Sequence, residues 1–442
     1  MKKQLRRVTL LLLSLSLLLI PLSSCSACSV GTPMLELKID GKTYTYPAEL
    51  YELQLSILKG NLAVAGYTIN GKNALQNAFW DMTDDFDGSG KLQTTDEYYR
   101  GVILRECRYV LIAQYLFDKY DLELSEATLE EINDYLNEFV ETDGDGNVNK
   151  LNSVLADYGV NYELLEEYLI MNAKLEAVQN HLYSRLGHNV KQNYLEETYV
   201  HFDQIFLANY NYVYETDKYG DEIYFNEADG SVLYRVTPYT ELVSGQVIYY
   251  TDATKTHVSY DTENGVRSYK LTADGTGYET TPKSDAELDA LDDQLDALLT
   301  NLADATPAQF TALVSELSDG ETYGDGYYLQ KGLEYSSGND NLYYLDQIME
   351  RLETAEVGDV FHVESSMGYH IVMKLAHTEK AYELEENEAW FESSYSTTFT
   401  DALTAKIFRS ECDKLYDKVT IDEKVYADVK TLKDVLPNYY YK

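Results

Sequence analysis

The stretch SSMGYHIVMKL (Ser365–Leu375) decides how the fold of this chain is interpreted. From its glycine onward it resembles a half-buried strand, in which successive side chains point to opposite faces of a sheet. One face should carry Tyr369, Ile371, Met373 and Leu375. His370 then shares the other face with Val372, where it either hydrogen-bonds across the sheet for stability or serves a functional site.

The chain is strongly acidic. Its 442 residues include 35 Lys and Arg against 75 Asp and Glu, a formal net charge of -40. This charge repels the phosphate backbone of nucleic acids, so nucleic acid is not an expected partner. An apolar fraction of 45% is enough to fold the chain, and the length predicts two or three domains. The 42 tyrosines suit surfaces that contact other chains, since tyrosine combines apolar area with a polar tip.

The N-terminus has the pattern of an export signal. Four positive charges in MKKQLRRV precede the apolar run TLLLLSLSLLLIPL, and LSSC follows it directly. LSSC resembles a lipobox, in which the chain is cut before a cysteine that carries a lipid. This predicts a signal peptide over residues 1–24, lipidated Cys25 and a tether over 25–34; the alternative is a plain secretory signal cut near Ser26 and Ala27.

Helical periodicity dominates the two ends of the chain. Residues 35–190 begin with a short hairpin and continue with helices, one of them opened by a capping box from Thr94 to Glu97. The segment 384–436 is amphipathic, with an apolar stripe through Phe399, Leu403, Ile407 and Leu415. Because that stripe is too apolar to stand alone, we expect the two segments to form one helical domain.

The middle of the chain has a different pattern. Residues 195–380 alternate between strands and helices, one helix starting with a capping box from Ser284 to Glu287. Within this region, residues 211–283 are rich in Tyr, Thr, Asp and Gly and predict short hairpins, a β-rich insertion. The predicted fold class is therefore α+β, with helical segments flanking a central α+β domain.

Two further residue sets are candidate sites. Cys107 and Cys412 lie in helical patterns, where they form either a disulfide or two buried free thiols. A weak candidate calcium loop places oxygen ligands at Asp85, Asp87, Ser89 and Asp96. Its last ligand is Asp rather than the bidentate Glu of such loops, and acidic turns are common in so acidic a chain. No cofactor is expected.

The order of motifs between residues 195 and 380 resembles a parvulin-type peptidyl-prolyl isomerase domain. A strand and two helices lead to Ser318-Asp319 and a Gly-Asp-Gly turn at 324–326. Next come another helix, then the turn Val-Gly-Asp-Val at 357–360, and then the strand that contains His370. Domains of this family end in such a Gly-Tyr-His-Ile strand. With the lipobox and the split helical domain, the mature chain, apart from the insertion at 211–283, resembles extracytoplasmic foldases of the PrsA/SurA type.

The resemblance implies a catalytic site for rotation about X-Pro bonds. His370 matches the second of a pair of histidines that stands on the central sheet in this family, and Ser365 and Ser366 occupy the hydroxyl-bearing turn before it. The position of the first histidine of the pair is occupied by Gln204 in this sequence. His201 lies three residues earlier and is out of register.

Two other family positions are less well matched. The polar Cys or Asp expected after Ser318-Asp319 is Gly320. The apolar seat for the proline ring has three candidates, Leu345, Ile348 and Met349, because the segment that carries them is longer than the family spacing.

Three functions follow from these patterns. The first is a lipid-anchored, extracytoplasmic bacterial foldase that isomerises prolyl bonds in unfolded or newly exported polypeptides. The second, favoured by Gln204 and Gly320, is a holdase chaperone whose isomerase domain is inactive. The third is a calcium-binding surface lipoprotein, which only the acidic loops and the tyrosine-rich insertion support.

Overall fold

The computed structural model describes residues 31–243, 246–337, 339–392 and 397–442. The predicted signal peptide and Cys25 lie outside these ranges. The chain divides into two compact units, one comprising residues up to Leu186 with Ala402–Lys442, the other Gly187–Asp401. Both helices and sheets are present, consistent with the predicted α+β class. Within the described ranges, no helix combines the length and apolar character needed to cross a bilayer.

The helices in chain order are α1 (Ala48–Val64), α2 (Asn77–Trp80), α3 (Thr95–Lys119), α4 (Glu126–Thr142), α5 (Val148–Leu155), α6 (Tyr162–Ser184), α7 (His188–Thr198), α8 (Asp285–Leu302), α9 (Pro307–Leu317), α10 (Tyr343–Thr354), α11 (Glu388–Phe391), α12 (Phe399–Asp413) and α13 (Glu423–Asp428). The strands are β1 (Pro33–Ile39), β2 (Lys42–Pro47), β3 (Thr68–Ile69), β4 (Lys72–Asn73), β5 (Thr83–Asp84), β6 (Gln93–Thr94), β7 (Tyr199–Ala208), β8 (Tyr210–Tyr212), β9 (Tyr224–Phe225), β10 (Tyr239–Val243), β11 (Gln246–Tyr250), β12 (Val266–Arg267), β13 (Thr280–Pro282), β14 (Tyr327–Gln330), β15 (Val360–Ser365), β16 (Gly368–Lys374) and β17 (Val419–Ile421).

The first unit is a helical core with a small sheet. Thr94 and Glu97 form the predicted capping box at the start of α3, satisfying amides that the first helical turn leaves unpaired. Buried side chains of α1, α3 and α6 share one hydrophobic cluster. The hairpin β1–β2 is joined by β17, so the sheet takes its third strand from near the other end of the chain.

The C-terminal residues are built into this first unit through α1. The ammonium of Lys59, a side chain only 6% exposed, donates to the carbonyl oxygens of Leu432 and Val435, both at 2.8 Å. The amide of Asn438 donates to the Ser56 carbonyl at 2.9 Å. A Cβ atom at Gly60 would lie 1.9 Å from the Asn438 carbonyl oxygen, so only glycine permits this approach.

The C-terminal segment does not belong to one unit throughout. Residues 384–401, which the sequence assigned to the helical domain, lie in the second unit. There Phe399 packs on Tyr199 and Phe391. On α12 the buried positions beyond Leu403 are Phe408 and Cys412, while Ile407 is half-buried.

Both described cysteines are free thiols. Cys107 and Cys412 are buried, and burial raises the pKa of each thiol, to about 12 for Cys107. Neutral buried thiols of this kind are unreactive and serve as small apolar groups.

The second unit is organised around a four-stranded antiparallel sheet of order β14-β7-β16-β15. Helices α8 and α9 cover one face, where the predicted alternation places Ile371, Met373 and Leu375 in a core. Helix α10 covers the other face with a second core that includes Val372. The capping box of Ser284 and Glu287 starts α8 as predicted.

The hairpin that carries His370 depends on Gly368. Ser365 pairs with Gly368 across a turn of two residues between β15 and β16. Gly368 has φ +142°, and a Cβ atom there would lie 2.0 Å from the carbonyl oxygen of Leu207 on β7. The glycine before the histidine strand therefore lets β16 come close enough to pair with β7.

The insertion is formed by two-stranded sheets. These pair β8 with β13, β9 with β12 and β10 with β11, as the hairpin prediction implied. Pro282 pairs with Tyr210, which brings the end of the insertion back beside its beginning at the end of β7. The insertion thus starts and finishes beside the C-terminal end of β7, an interior strand of the central sheet.

Candidate functional site

His370 lies buried on the α10 face of the central sheet, at the turn end of β16. Its side chain is 3% exposed, and burial lowers the pKa of the imidazole to about 4, so the ring is neutral at pH 7. Nδ1 lies 3.1 Å from Oε1 of Gln204 on β7, and Nε2 lies 3.0 Å from Oγ of Ser365. The structure therefore brings together three of the four predicted catalytic residues.

The partners of His370 fix its tautomer. Because Oε1 of Gln204 can only accept, Nδ1 of the neutral ring carries the proton and donates it. Nε2 then accepts from the hydroxyl of Ser365 at 3.0 Å, in preference to the Gly368 carbonyl that the same hydroxyl reaches at 3.2 Å, and the Ser365 oxygen in turn accepts from the Met367 amide at 3.2 Å. The imidazole is held on both sides in a single orientation.

The phenol of Tyr327 on β14 lines the cavity together with Gln204. The Tyr327 hydroxyl donates to the backbone carbonyl of Glu321 at 2.9 Å. Burial raises the pKa of Tyr327 to about 12, so this phenol keeps its proton. Tyr327 is thus a neutral, hydrogen-bonded group of the cavity wall.

Aromatic rings enclose the imidazole. Tyr344 of α10 stacks on His370 with ring centroids 4.2 Å apart and planes at 9°. Phe206 of β7 lies at 4.8 Å and 31°. These rings exclude water from the imidazole, which is the cause of its lowered pKa.

A cavity of about 480 Å³ opens beside this group. Its lining is mainly aromatic and aliphatic and includes Phe206, Tyr323, Tyr335, Leu345, Met367 and Trp390. The polar groups that reach it include Gln204, His370 and Glu321, whose carboxylate accepts from the Tyr323 hydroxyl at 3.2 Å, and its described lining contains no Lys or Arg. The volume falls within the range typical of pockets for small ligands or short peptide segments.

The other predicted site residues are spread over different environments. Ser366 is exposed at the turn, and its backbone carbonyl accepts from Asn209 at 3.0 Å. Of the three proline-seat candidates, Leu345 lines the cavity. Ile348 and Met349 instead pack in the hydrophobic core between α10 and the sheet.

Several site residues were not found from the sequence. Tyr327, Tyr344 and Trp390 line the cavity, and they come from β14, α10 and α11. Tyr327 follows the Gly-Asp-Gly turn directly, so the motif itself could have indicated it. No local signal distinguishes Tyr344 or Trp390 from the other aromatic residues of this tyrosine-rich chain.

The structure shows the surroundings of His201 and of Gly320. Both ring nitrogens of His201 lie 2.6 Å from backbone carbonyl oxygens, Nδ1 from that of Ala376 and Nε2 from that of Asp325. The His201 ring therefore does not contact His370. At Gly320 an added Cβ atom would lie 3.2 Å from Cδ1 of Phe206. The ring of Phe206 thus occupies the space where a larger side chain would stand.

The candidate calcium loop shows no arranged ligand set. Oδ1 of Asp96 accepts from the Leu432 amide at 2.7 Å, and Oδ2 of Asp85 accepts from the Gly90 amide at 2.8 Å. Oδ1 of Asp87 accepts from the Ser89 amide at 3.1 Å. In the part of the chain that the structure describes, no three acidic, His or Cys side chains are grouped to hold a metal.

Comparisons with known proteins give weak structural likenesses. The crystal structure of PrsA from Bacillus subtilis is 12% identical, with a TM-score of 0.18 over 79% of this chain and 96% of that one. Foldase protein PrsA from Streptococcus pneumoniae is also 12% identical, with a TM-score of 0.20 over 78% and 97% of the two chains. Scores this low do not establish a shared fold. No protein-family model and no curated protein matches the sequence.

Proposed function

We propose that this protein is an extracytoplasmic foldase whose second unit isomerises prolyl peptide bonds in unfolded or newly exported polypeptides. The observation that carries the proposal is a neutral imidazole of fixed tautomer, His370, beside an apolar cavity. The resemblance of the motif order to parvulin-type domains supports the same reaction. Leu345 and the aromatic rings of the cavity are the proposed seat for the proline ring.

The chemistry requires no covalent intermediate. Rotation about an X-Pro bond meets a barrier of about 20 kcal/mol because twisting removes amide resonance. A twisted amide has less charge separation than a planar one, so transfer from water to an apolar cavity lowers the barrier. In the twisted state the imide nitrogen becomes more basic, and the side-chain amide N–H of Gln204, which lines the cavity, is the proposed donor that stabilises it. His370 and Ser365, whose own donors are already used, act by keeping the Gln204 amide in place.

The test is isomerisation of a proline-containing peptide by the mature chain. NMR exchange spectroscopy measures the rate and needs no protease. The pH profile should be flat from pH 8 to about 5 and fall toward pH 4, where His370 becomes protonated. Absence of any rate enhancement over this range contradicts the proposal.

The same pKa shift predicts how stability depends on pH. The unfolded chain binds a proton at this histidine near pH 6.5, whereas the folded unit binds it only near pH 4. Between these values the unfolded state holds more protons, so His370 causes the free energy of unfolding to fall as pH drops from about 6.5 to 4. Activity measurements at low pH therefore need a parallel check that the unit is folded.

A second candidate function is a holdase chaperone with the same architecture. It is favoured by Gln204, which cannot take up or release a proton as the family's histidine does, and by Gly320, which contributes no polar side chain. Suppression of client aggregation without any isomerisation of prolyl peptides would identify this function.

Membrane anchoring is proposed through Cys25. Replacing the lipid-bearing thiol with Cys25→Ala should move the protein from the membrane fraction to the soluble fraction, because a lipid chain is the proposed attachment. Fractionation and mass spectrometry of the N-terminal peptide provide the measurement. A variant that stays bound as firmly as the parent, with no acyl group on Cys25 of the parent, contradicts the assignment.

A further inference from the structure

Tyrosines occupy every second position where the chain enters the insertion. Tyr210, Tyr212 and Tyr214 follow β7 directly, and a spacing of two places side chains on the same face of an extended chain. Tyr210 also lines the cavity beside His370. The face that these tyrosines form is therefore continuous with the cavity wall.

Tyrosines from later in the insertion complete this face. Tyr269 lies 4.5 Å from Tyr212 and 5.0 Å from Tyr214, measured between ring centroids. Tyr278 lies 6.0 Å from Tyr212 and 5.5 Å from Tyr269. We call these five residues, Tyr210, Tyr212, Tyr214, Tyr269 and Tyr278, the aromatic track.

The aromatic track can be followed ring by ring from the imidazole. Phe206, which contacts His370, lies 6.5 Å from Tyr210, and Tyr210 lies 5.4 Å from Tyr212. Since an extended chain rises about 3.3 Å per residue, each such step corresponds to about two residues of a bound polypeptide. The track is long enough for several residues beyond the one held in the cavity.

The outer rings are accessible and already ordered. Tyr278 is 51% exposed and Tyr269 is 38% exposed, although their neighbours hold them in place. A tyrosine fixed in this way offers apolar area and a hydroxyl group while losing little conformational freedom on binding. Such a surface suits proline rings, aliphatic groups and peptide backbone.

Charge at the far end of the track is balanced. The guanidinium of Arg267 lies 3.8 Å from the ring centroid of Tyr214 and forms a 2.9 Å ion pair with Glu222. The positive charge of Arg267 is therefore already compensated, and the carboxylate of Asp319 near Tyr210 and Tyr269 disfavours an acidic ligand. An uncharged, extended polypeptide segment fits best.

We infer that the aromatic track binds the segment of an unfolded client that flanks the proline held in the cavity, so that long chains are better substrates than short peptides. The predicted preference for long substrates rests on the proposed isomerase function, whereas binding of polypeptide to the aromatic track does not. The occupant is assigned by continuity, since Phe206 and Tyr210 belong to both the cavity and the face that leads away from it.

The kinetic experiment compares two peptides with the same X-Pro-Y centre, a tetrapeptide and a 16-residue peptide with uncharged flanks. In the variant Tyr269→Ser/Tyr278→Ser, kcat/KM for the long peptide should fall at least threefold while that for the tetrapeptide is unchanged. The matched control is Tyr239→Ser, which removes a 39% exposed tyrosine from β10 of the same insertion and should change neither value. Equal losses on both peptides, or no loss, overturn the inference.

A binding measurement needs neither the removal of tyrosine side chains to serine nor catalytic activity. A photoreactive p-benzoylphenylalanine in place of Tyr278 should crosslink to the biotinylated long peptide, while the same group in place of Tyr239 should not. If the parent isomerises neither peptide, the proposed function fails but the crosslink still decides whether the track binds polypeptide. Equal crosslinking at both positions overturns the inference. The inference is also overturned if a soluble oligosaccharide suppresses the Tyr278 crosslink and excess unlabelled peptide does not.

Discussion

His370→Ala is expected to lower kcat/KM for prolyl isomerisation at least tenfold, which is roughly 1.4 kcal/mol of transition-state stabilisation. The substitution removes the group that Gln204 and Ser365 hold in one orientation and leaves a water-accessible space beside the proposed proline seat. Suppression of aggregation of an unfolded client should change little, since that activity depends on exposed surfaces elsewhere. NMR exchange on a proline peptide and light scattering of the client measure the two activities.

The matched control is His362→Ala. His362 stands on β15 in the same sheet, and its ring lies 6.3 Å from that of Tyr369 on the face opposite His370. Its removal should leave the isomerisation rate within a factor of two of the parent. If His362→Ala and His370→Ala lower the rate equally, or if the parent shows no activity, His370 is a structural residue and the holdase function gains support.

Gly60→Ala is expected to destabilise the first unit by about 3 kcal/mol or more. The new methyl group would meet the backbone carbonyl of Asn438 at 1.9 Å, and a backbone group cannot turn aside as a flexible side chain can. The segment would have to leave α1, which would also break the bonds of Lys59 to Leu432 and Val435. Lys59, whose pKa burial lowers, would then lose its acceptors.

Urea unfolding, monitored by tryptophan fluorescence, measures the change in the free energy of unfolding of the first unit alone. The chain has two tryptophans, Trp80 in the first unit and Trp390 in the second, so a Trp390→Phe background leaves Trp80 as the only reporter. Gly101→Ala provides the control, because Gly101 lies in α3 with nothing within 4 Å of its Cβ position. That change should stabilise the unit by roughly 0.5–1 kcal/mol, the usual gain from glycine to alanine inside a helix. Equal effects of the two substitutions contradict the proposed contact.

Local rules of the sequence account for much of the fold. The capping boxes at Thr94 and Ser284 satisfy amides of their own helices, so four residues are enough to locate them. The faces of β16 follow from the alternation around His370. In contrast, the contact between Asp96 and the Leu432 amide joins residues 336 positions apart, and no local pattern indicates it.

The candidate site was only partly predictable for similar reasons. The register that places Gln204 near His370 follows from the family motif, and the structure puts their side chains 3.1 Å apart. The proline-seat candidates depended on the family spacing, which this longer segment does not match, and the sequence alone cannot tell whether a buried residue of α10 meets a core or a cavity. Ile348 and Met349 meet the core, while Leu345, closer to the start of the helix, reaches the cavity.

The joining of α1 to Val429–Lys442 has a consequence for the order of folding. A ribosome or an export channel releases a chain from its N-terminus, and the bond from Ser56 to the Leu436 carbonyl spans 380 positions. The second unit is one continuous stretch, Gly187–Asp401, and is complete before those late residues emerge. Closing so long a loop is slow as well as late. The first unit, although synthesised first, is therefore the last to finish, and a chain cut short before residue 429 would leave α1 uncovered for proteases or chaperones.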